Sequence, residues 1–461
     1  MSSGNRIAVA GCYICNVPAT KCCSKCSIAK YCSREHQLQD WKEHKKNCQI
    51  FEVKVLPIVG RSLVAKRNIE AGEVIIDELP LFTGESSSAS SSSPLFVFIY
   101  TCVLMMNIPY VPGGKYVARC ICILRCLWLK RNEPEKWKHV VSMESHAETR
   151  RHLQPEFWRM NQNNIVQFIR YYLKFHDMTD VDEAEIHDLC GIWNTNAFDV
   201  RNAGIENLRG LFQPLSHTLA RRSHLEFSKI FFCHCQRCED PTEFGTFMTA
   251  WKCQACDDGR LIISDANDPN SDWVCYDCKN KVESSTVKDI EQKVKTHFAQ
   301  LGKTAQEMEA FLEKFSRIML PTTSYAIQIK YALMELLPSD ENDQIEIQKK
   351  EDICKELLNL MNVLCPGLTR VRAMICVQLG RCQRQFATLL GSNEKNAQVA
   401  AQSKLLSSRE FLEEALNILI KEPEGTHFYD LGKQIQAELV EINDTLAHHI
   451  ILENCTTTGG V

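Results

Sequence analysis

The chain has 461 residues, 44% hydrophobic and 24% charged, the make-up of an ordinary folded protein with room for about three domains. Its formal net charge of −4 excludes a global affinity for nucleic acid or for anionic membrane. Its 24 cysteines follow a start, MSSGNRIAVAGC, that lacks the basic and apolar stretches of a signal peptide. The thiols are therefore expected in the nucleus or cytoplasm as zinc ligands or core residues, not as disulfides.

The first element, residues 1–50, carries Cys12, Cys15, Cys23, Cys26, Cys32, His36, His44 and Cys48 in the order C-x2-C-x7-C-x2-C-x5-C-x3-H-x7-H-x3-C. Thiolate and imidazole at such gaps suit tetrahedral zinc, and eight ligands serve two ions. So short a segment has no room for a hydrophobic core, so metal binding is its folding free energy and the closed sites are structural. Cys22 adjoins Cys23, but only Cys23 gives Cys26 the two-residue gap, which leaves Cys22 a spare thiol. Eight Lys or Arg against three Asp or Glu in this segment give a net charge of about +3 once two three-cysteine, one-histidine sites are counted. Direct reading of nucleic acid is not expected, because no helix here carries a row of base-reading side chains. With Tyr31 before Cys32 and Trp41 inside the last loop, residues 12–48 resemble the MYND zinc finger, a peptide-binding module. The resemblance implies interleaved sites: Cys12, Cys15, Cys32 and His36 for one zinc, and Cys23, Cys26, His44 and Cys48 for the other. His36 stands where that family usually has cysteine.

Residues 53–82, VKVLPIVGRSLVAKRNIEAGEVIIDELPLF, predict a twisted β-ribbon broken at Gly60 and at the turn Glu70–Glu73. Gly60 before Arg61 fits a hairpin turn or a close backbone approach to a ligand. A serine spacer spans 85–94. The run from Leu95 to Met106 is twelve residues, too short to cross a bilayer and suited to a buried strand or helix. Helices are expected over 130–200, and Cys120, Cys122 and Cys126, among Ile, Leu and Trp128, predict buried core thiols.

GRSLVAKRNIEAGEVIIDELPLF, CGIWNTNAFDVR at 190–201 and ARRSHLEFSKIFFCHCQRCEDPTEFGT at 220–246 resemble pieces of a SET domain directly after a MYND finger. That order is similar to the SMYD family of protein-lysine methyltransferases, and the second pair of CxxC motifs to its arthropod branch. The resemblance implies that Gly60, Arg61 and Leu63 line an S-adenosylmethionine pocket, that Asn196 bonds the cofactor and that Phe231 packs near the adenine. Asn196 equally fits a cap near Phe198, and Phe231 a plain core position. The SET-like region, 51–232, is incomplete. Leu215-Ser216-His217 runs straight into Thr218-Leu219-Ala220, so the N-H-x-C-x-P-N segment, a Gly-Glu-Glu turn and the catalytic tyrosine are missing around 217–218. His217 is either the remnant of that motif's histidine, beside the cofactor, or a surface histidine. No catalytic residue can be assigned.

A cysteine-rich segment, 233–285, follows. Cys233, Cys235 and Cys238 resemble the post-SET zinc triad, whose fourth ligand the interruption removes, leaving Cys190, His217, His224 or His234 as substitutes. Cys253, Cys256, Cys275 and Cys278 form C-x2-C-x18-C-x2-C, a four-cysteine zinc ribbon with an acidic surface loop between its halves.

Residues 286–450 repeat apolar positions at helical spacing, as at Ile353, Leu357, Leu360 and Leu364, then Phe411, Ala415, Ile418 and Leu419. Breaks at Pro338-Ser339, Pro366-Gly367 and Pro423-Glu424-Gly425 predict helical hairpins, which resemble the TPR-like C-terminal domain of the same family. The expected fold is therefore multidomain α+β. The expected function is a zinc-binding, non-catalytic interaction protein in transcription or chromatin, taking peptides and possible histone partners through the finger and helices. The alternative is an S-adenosylmethionine-dependent protein-lysine methyltransferase.

Overall fold

The structure, a computed structural model, describes residues 11–15, 17, 19, 21–23, 29–48, 51–57, 60–73, 75, 81–85, 114–175, 180–202, 205–211, 230, 233–337, 343–390 and 395–458. The chain divides into two compact units, 1–233 and 234–461.

In the first unit, strands β1 (Lys21–Cys22) and β2 (Lys30–Tyr31) pair antiparallel and lead into helix α1 (Arg34–Asn47). Ser33 caps α1, its hydroxyl accepting from the amide of His36 at 3.3 Å, which satisfies one of the donors that a helix start leaves unpaired. The core here is minute: Tyr31, Cys12, Cys23, Ala19 and Ala29, with Trp41 against them. Tyr31 resolves its buried hydroxyl by donating to Asp40 Oδ2 at 2.6 Å.

The expected ribbon is a two-stranded antiparallel sheet of β3 (Phe51–Leu56) and β4 (Gly60–Ala65), in register from Phe51↔Ala65 to Leu56↔Gly60. The turn at Glu70 closes with the Glu73 amide donating to the Glu70 carbonyl at 3.0 Å, and Gly72 supplies the positive φ of 87° that a side chain would resist. A three-stranded sheet, in the order β5 (Phe82–Glu85), β7 (Ile205–Leu211) and β6 (Ala197–Asn202), is antiparallel throughout.

Between β5 and β6 lies a helical layer: α2 (Gly114–Asn132), α3 (Pro134–Val141), α4 (Ala147–Leu153), α5 (Pro155–Asn161), a π-turn (Gln162–Val166), α6 (Gln167–Phe175) and α7 (Glu183–Asn196). It starts at 114, well before the expected 130, because four consecutive residues, Cys120 to Ile123, are all buried and hide the helical period. Ile123, Leu127, Ile165, Ile169, Ile186 and Leu189 form its core. Cys120, Cys122 and Cys126 are buried among them as expected; Cys190, offered by the sequence as a substitute zinc ligand, is buried with them, and burial pushes its thiol up to about 12, which keeps it protonated and inert. Gly191 lets α7 approach the 145 turn, where a Cβ would lie 2.2 Å from the Ser145 carbonyl oxygen.

In the second unit, α8 (Gln236–Glu239) precedes a four-stranded antiparallel sheet ordered β11 (Lys281–Val282), β10 (Trp273–Cys275), β9 (Arg260–Ile263) and β8 (Trp251–Lys252). Then come α9 (Ser284–Ala299), α10 (Ala305–Lys314), α11 (Ser324–Leu336), α12 (Gln344–Leu364), α13 (Arg370–Leu390), α14 (Lys395–Leu419) and α15 (His427–Thr458). Caps written in the sequence start them: Thr304 and Glu307 make a reciprocal capping box on α10, Thr323 caps α11 and Asp343 caps α12. Pro366-Gly367 falls between α12 and α13, and Pro423–Gly425 between α14 and α15. Leu357, Ala415, Ile418 and Leu419 are buried as their spacing predicts. Where α13 meets α14, Ser408 donates to the Gly380 carbonyl at 2.7 Å, and a Cβ on Gly380 would lie 2.6 Å from Leu412. The architecture is the multidomain α+β arrangement expected from the sequence.

The serine spacer beyond Glu85, the 95–106 run and the 217–218 join lie outside the described residues. Among the described residues no helix is long and apolar enough to cross a membrane.

Candidate metal centres

Cys12, Cys15, Cys32 and His36 converge with all four ligand atoms within 4.8 Å of one another. His36 Nδ1 is 3.2 Å from Cys32 Sγ and 3.4 Å from Cys12 Sγ, and Cys15 Sγ is 3.5 Å from Cys32 Sγ. A zinc–sulfur bond of about 2.3 Å implies sulfurs about 3.8 Å apart around a tetrahedron, so the group fits one ion. The elements explain the fit: β2 delivers Cys32, and the Ser33 cap turns His36 inward on the first turn of α1. Burial raises the Cys12 thiol, but amides of Cys32, Cys15 and Ile14 outweigh it and hold it at about 5. Hydrogen bonding to Cys15, then burial, pushes Cys32 up to about 11. Thiols this close cannot all ionise without a cation, which is what zinc supplies.

Cys23, His44 and Cys48 form a second group within 4.8 Å, with Cys23 Sγ 3.8 Å from Cys48 Sγ. Cys26 lies outside the described residues. Cys22 is exposed and does not belong to the group, in keeping with its reading as a spare thiol.

The ribbon brings Cys253, Cys256, Cys275 and Cys278 together, with Sγ separations of 3.8 Å for Cys253–Cys278 and again for Cys256–Cys275. Both match the tetrahedral edge and are far too long for a disulfide. Each CxxC turn aims an amide at a sulfur: Ala255 N–H donates to Cys253, and Cys278 N–H to Cys275, both at 3.3 Å. Burial raises Cys275, yet the amides of Cys278 and Asp277 bring it down to about 7, whereas burial raises Cys253 and hydrogen bonding to Cys278 pushes Cys256 up to about 12, so the four thiols need a cation to ionise together.

Gly259 completes this site and was not singled out from sequence. A Cβ there would lie 2.3 Å from Cys256 Sγ and 2.7 Å from Cys275 Sγ, inside the volume the sulfurs need. Its sequence signal was the Asp-Asp-Gly turn three residues after Cys256. Arg260 braces the second CxxC turn, donating Nη2 to Asp277 Oδ1 at 2.6 Å, with its guanidinium over Phe247 and Tyr276.

Cys233, Cys235 and Cys238 also lie within 4.8 Å of one another. Of the substitute fourth ligands, Cys190 is sealed in the helical core and His234 Nδ1 faces Glu239 Oε1 at 3.5 Å. His217 and His224 lie outside the described residues.

The candidate cofactor residues are placed as follows. Gly60, Arg61 and Leu63 stand on β4, opposite Leu56, Val55 and Val53. Asn196 ends α7, and its amide donates to the carbonyls of Ile192, one turn back in the same helix, and of Glu144, just before α4, both at 2.9 Å. Phe231 lies outside the described residues.

Residues 12–48 match the family model of the MYND finger. The chain is 24% identical to the SET domain-containing protein SmydA-8, isoform A, of Drosophila melanogaster, over 59% of this chain and 74% of that protein. It is 29% identical to isoform B, over 27% of this chain and 29% of that isoform. The chain carries a MYND finger and is similar to SMYD proteins. The first two groups belong to that finger, and the finger and cysteine clusters make this a zinc-binding protein. The chemistry of the donors agrees: soft thiolates with one imidazole, closed around a four-ligand volume, hold zinc structurally and leave no position for a reacting water.

Proposed function

We propose that this SMYD-like zinc-binding protein is a non-catalytic interaction protein of the nucleus and cytoplasm that regulates transcription or chromatin. It takes protein peptides, histone segments among them, through the MYND finger and the helical array. The observation that carries this reading is the direct passage from Leu215-Ser216-His217 into Thr218-Leu219-Ala220. Methyl transfer needs a deprotonated lysine amine aimed at the methyl group in a dry channel, and preorganised geometry is the catalyst. A chain without the N-H-x-C-x-P-N segment and the tyrosine lacks the groups that would supply it. The finger offers a binding surface instead, with Tyr13, Ile14, Val17 and Leu38 exposed around its metal groups.

S-adenosylmethionine-dependent methylation of protein lysines is the second reading, favoured by the similarity to SET domain-containing relatives and by Gly60 and Arg61 on the β3–β4 hairpin. Calorimetric titration of the full chain with S-adenosylmethionine separates the two. No saturable heat is expected; micromolar binding accompanied by methyl transfer to histone lysines would overturn the non-catalytic reading.

A further inference from the structure

The ribbon's ligands are built into a core of the second unit. Cys253 and Cys275 are buried with Trp251 and Leu261 against Val287 and Val294 of α9, Phe311 of α10, Phe315, and Ile329 and Leu333 of α11. Hydrogen bonds lock the two together. Lys252 N–H donates to the Ile318 carbonyl at 3.0 Å, Trp251 forms an antiparallel bridge with Met319, and the Gln254 side-chain Nε2 donates to the Arg317 carbonyl at 2.9 Å. At the start of α9, Ser284 N–H donates to Asp272 Oδ1 at 3.3 Å, and Lys288 Nζ reaches Asn270 Oδ1 at 2.7 Å. A different cluster, with Leu412, Leu419, Ile435 and Leu439 at its centre, joins α13, α14 and α15 and contains no ribbon residue.

We propose that zinc at Cys253, Cys256, Cys275 and Cys278 controls the folding of α9, α10 and α11, so that the helical array has a metal-conditional segment beside a metal-independent one. The inference rests on the reading of the ribbon as a zinc site. Its physical basis is the size of the sheet. Strands of two to four residues lie at or below the short end of stable strands, and two of the four thiols, Cys253 and Cys275, sit in the apolar cluster that the helices share. Without the ion the sulfurs lose their shared partner, the sheet loses its fixed point, and the faces of α9 and α10 that pack on it lose their cover. A partner reading these helices then meets a surface set by zinc.

Hydrogen exchange read by mass spectrometry, with zinc counted per chain, tests this on the full-length protein. Cys256→Ser removes a ligand, while Gly259→Ala keeps all four thiols and only crowds the site. In both, amides over 284–336 are expected to exchange about a hundredfold faster while those over 370–446 keep their rates. Unchanged exchange over 284–336 in a variant that has lost zinc overturns the inference. Equal acceleration over both segments also overturns it, because the effect is then general unfolding. A Cys256→Ser chain with a full zinc count refutes the ribbon site itself, which tells that failure from the first two.

Discussion

The finger and the ribbon gather the same ligand chemistry into opposite settings. Around the finger's groups the apolar support is Tyr31, two alanines and the flank of Trp41, and Cys15 is exposed. Around the ribbon's thiols stand Trp251, Phe311, Phe315 and residues of three helices. The metal is most of the fold in the first case and the keystone of a larger core in the second. The contrast teaches that equal zinc affinity need not mean equal consequence: losing zinc from the finger erases a small module, whereas losing it from the ribbon loosens helices far along the chain.

The largest expected effect is at the finger. Cys32→Ser or His36→Ala should abolish its fold, because no other core remains; one-dimensional NMR would show the Tyr31 and Trp41 resonances collapsing to unfolded positions, and retention of their dispersion would break the contrast. Next comes the ribbon: Gly259→Ala should weaken zinc by about 10- to 100-fold, the range of a perturbed supporting shell, measured by competition with a chelating dye. An unchanged affinity would show that the Cys256–Cys275 pair can give way. Smaller still is Tyr31→Phe, which strands Asp40 without its 2.6 Å donor and should cost the finger about 1 kcal/mol, read as a lowered midpoint in chelator-free thermal melts.

The smallest effect concerns the helical layer, where no metal is involved. His187 is buried, stacks on Trp158 at 3.5 Å between ring centroids, and shares a 2.7 Å hydrogen bond with Gln162 Oε1. Burial holds it below its ordinary 6.5, with Glu183 and Asp188 pulling it up and Arg151 pushing it down. The unfolded chain then binds the proton more readily than the folded one. Stability is present above pH 6.5 and is lost as the pH falls through the folded value. His187→Gln should flatten that limb of the urea midpoint against pH, and an identical pH slope in variant and unaltered chain would assign it to other groups.

Much of this was legible beforehand because zinc ligation is local. The gaps 12–15, 253–256 and 275–278 each force a tight turn, and Cys23 was distinguishable from Cys22 by one position. Helix ends at Pro366-Gly367 and Pro423–Gly425 were legible for a similar reason, since those residues break helices wherever they stand. The start of the α2 helix at 114 was not, because the consecutive buried residues Cys120 to Ile123 follow no helical period. The role of Gly259 was also hidden: its importance comes from sulfurs 3 and 16 residues away, and a glycine in a turn reads the same whether or not metal ligands crowd it. Asn196 had two readings in sequence, and the carbonyls that its amide meets, those of Glu144 and Ile192, include one that only folding brings near.

By itself the sequence determined the metal chemistry and the order of finger, β-rich region, cysteine-rich segment and helices, all of them properties of neighbouring residues. Tertiary structure alone decided that Cys253 and Cys275 share a core with Val294, Phe311 and Ile329, and that Cys190, which the sequence offered as a substitute zinc ligand, is a core thiol sealed from solvent. Those outcomes depend on contacts across tens of residues, where the burial of apolar surface, and not the spacing of ligands, chooses the partner.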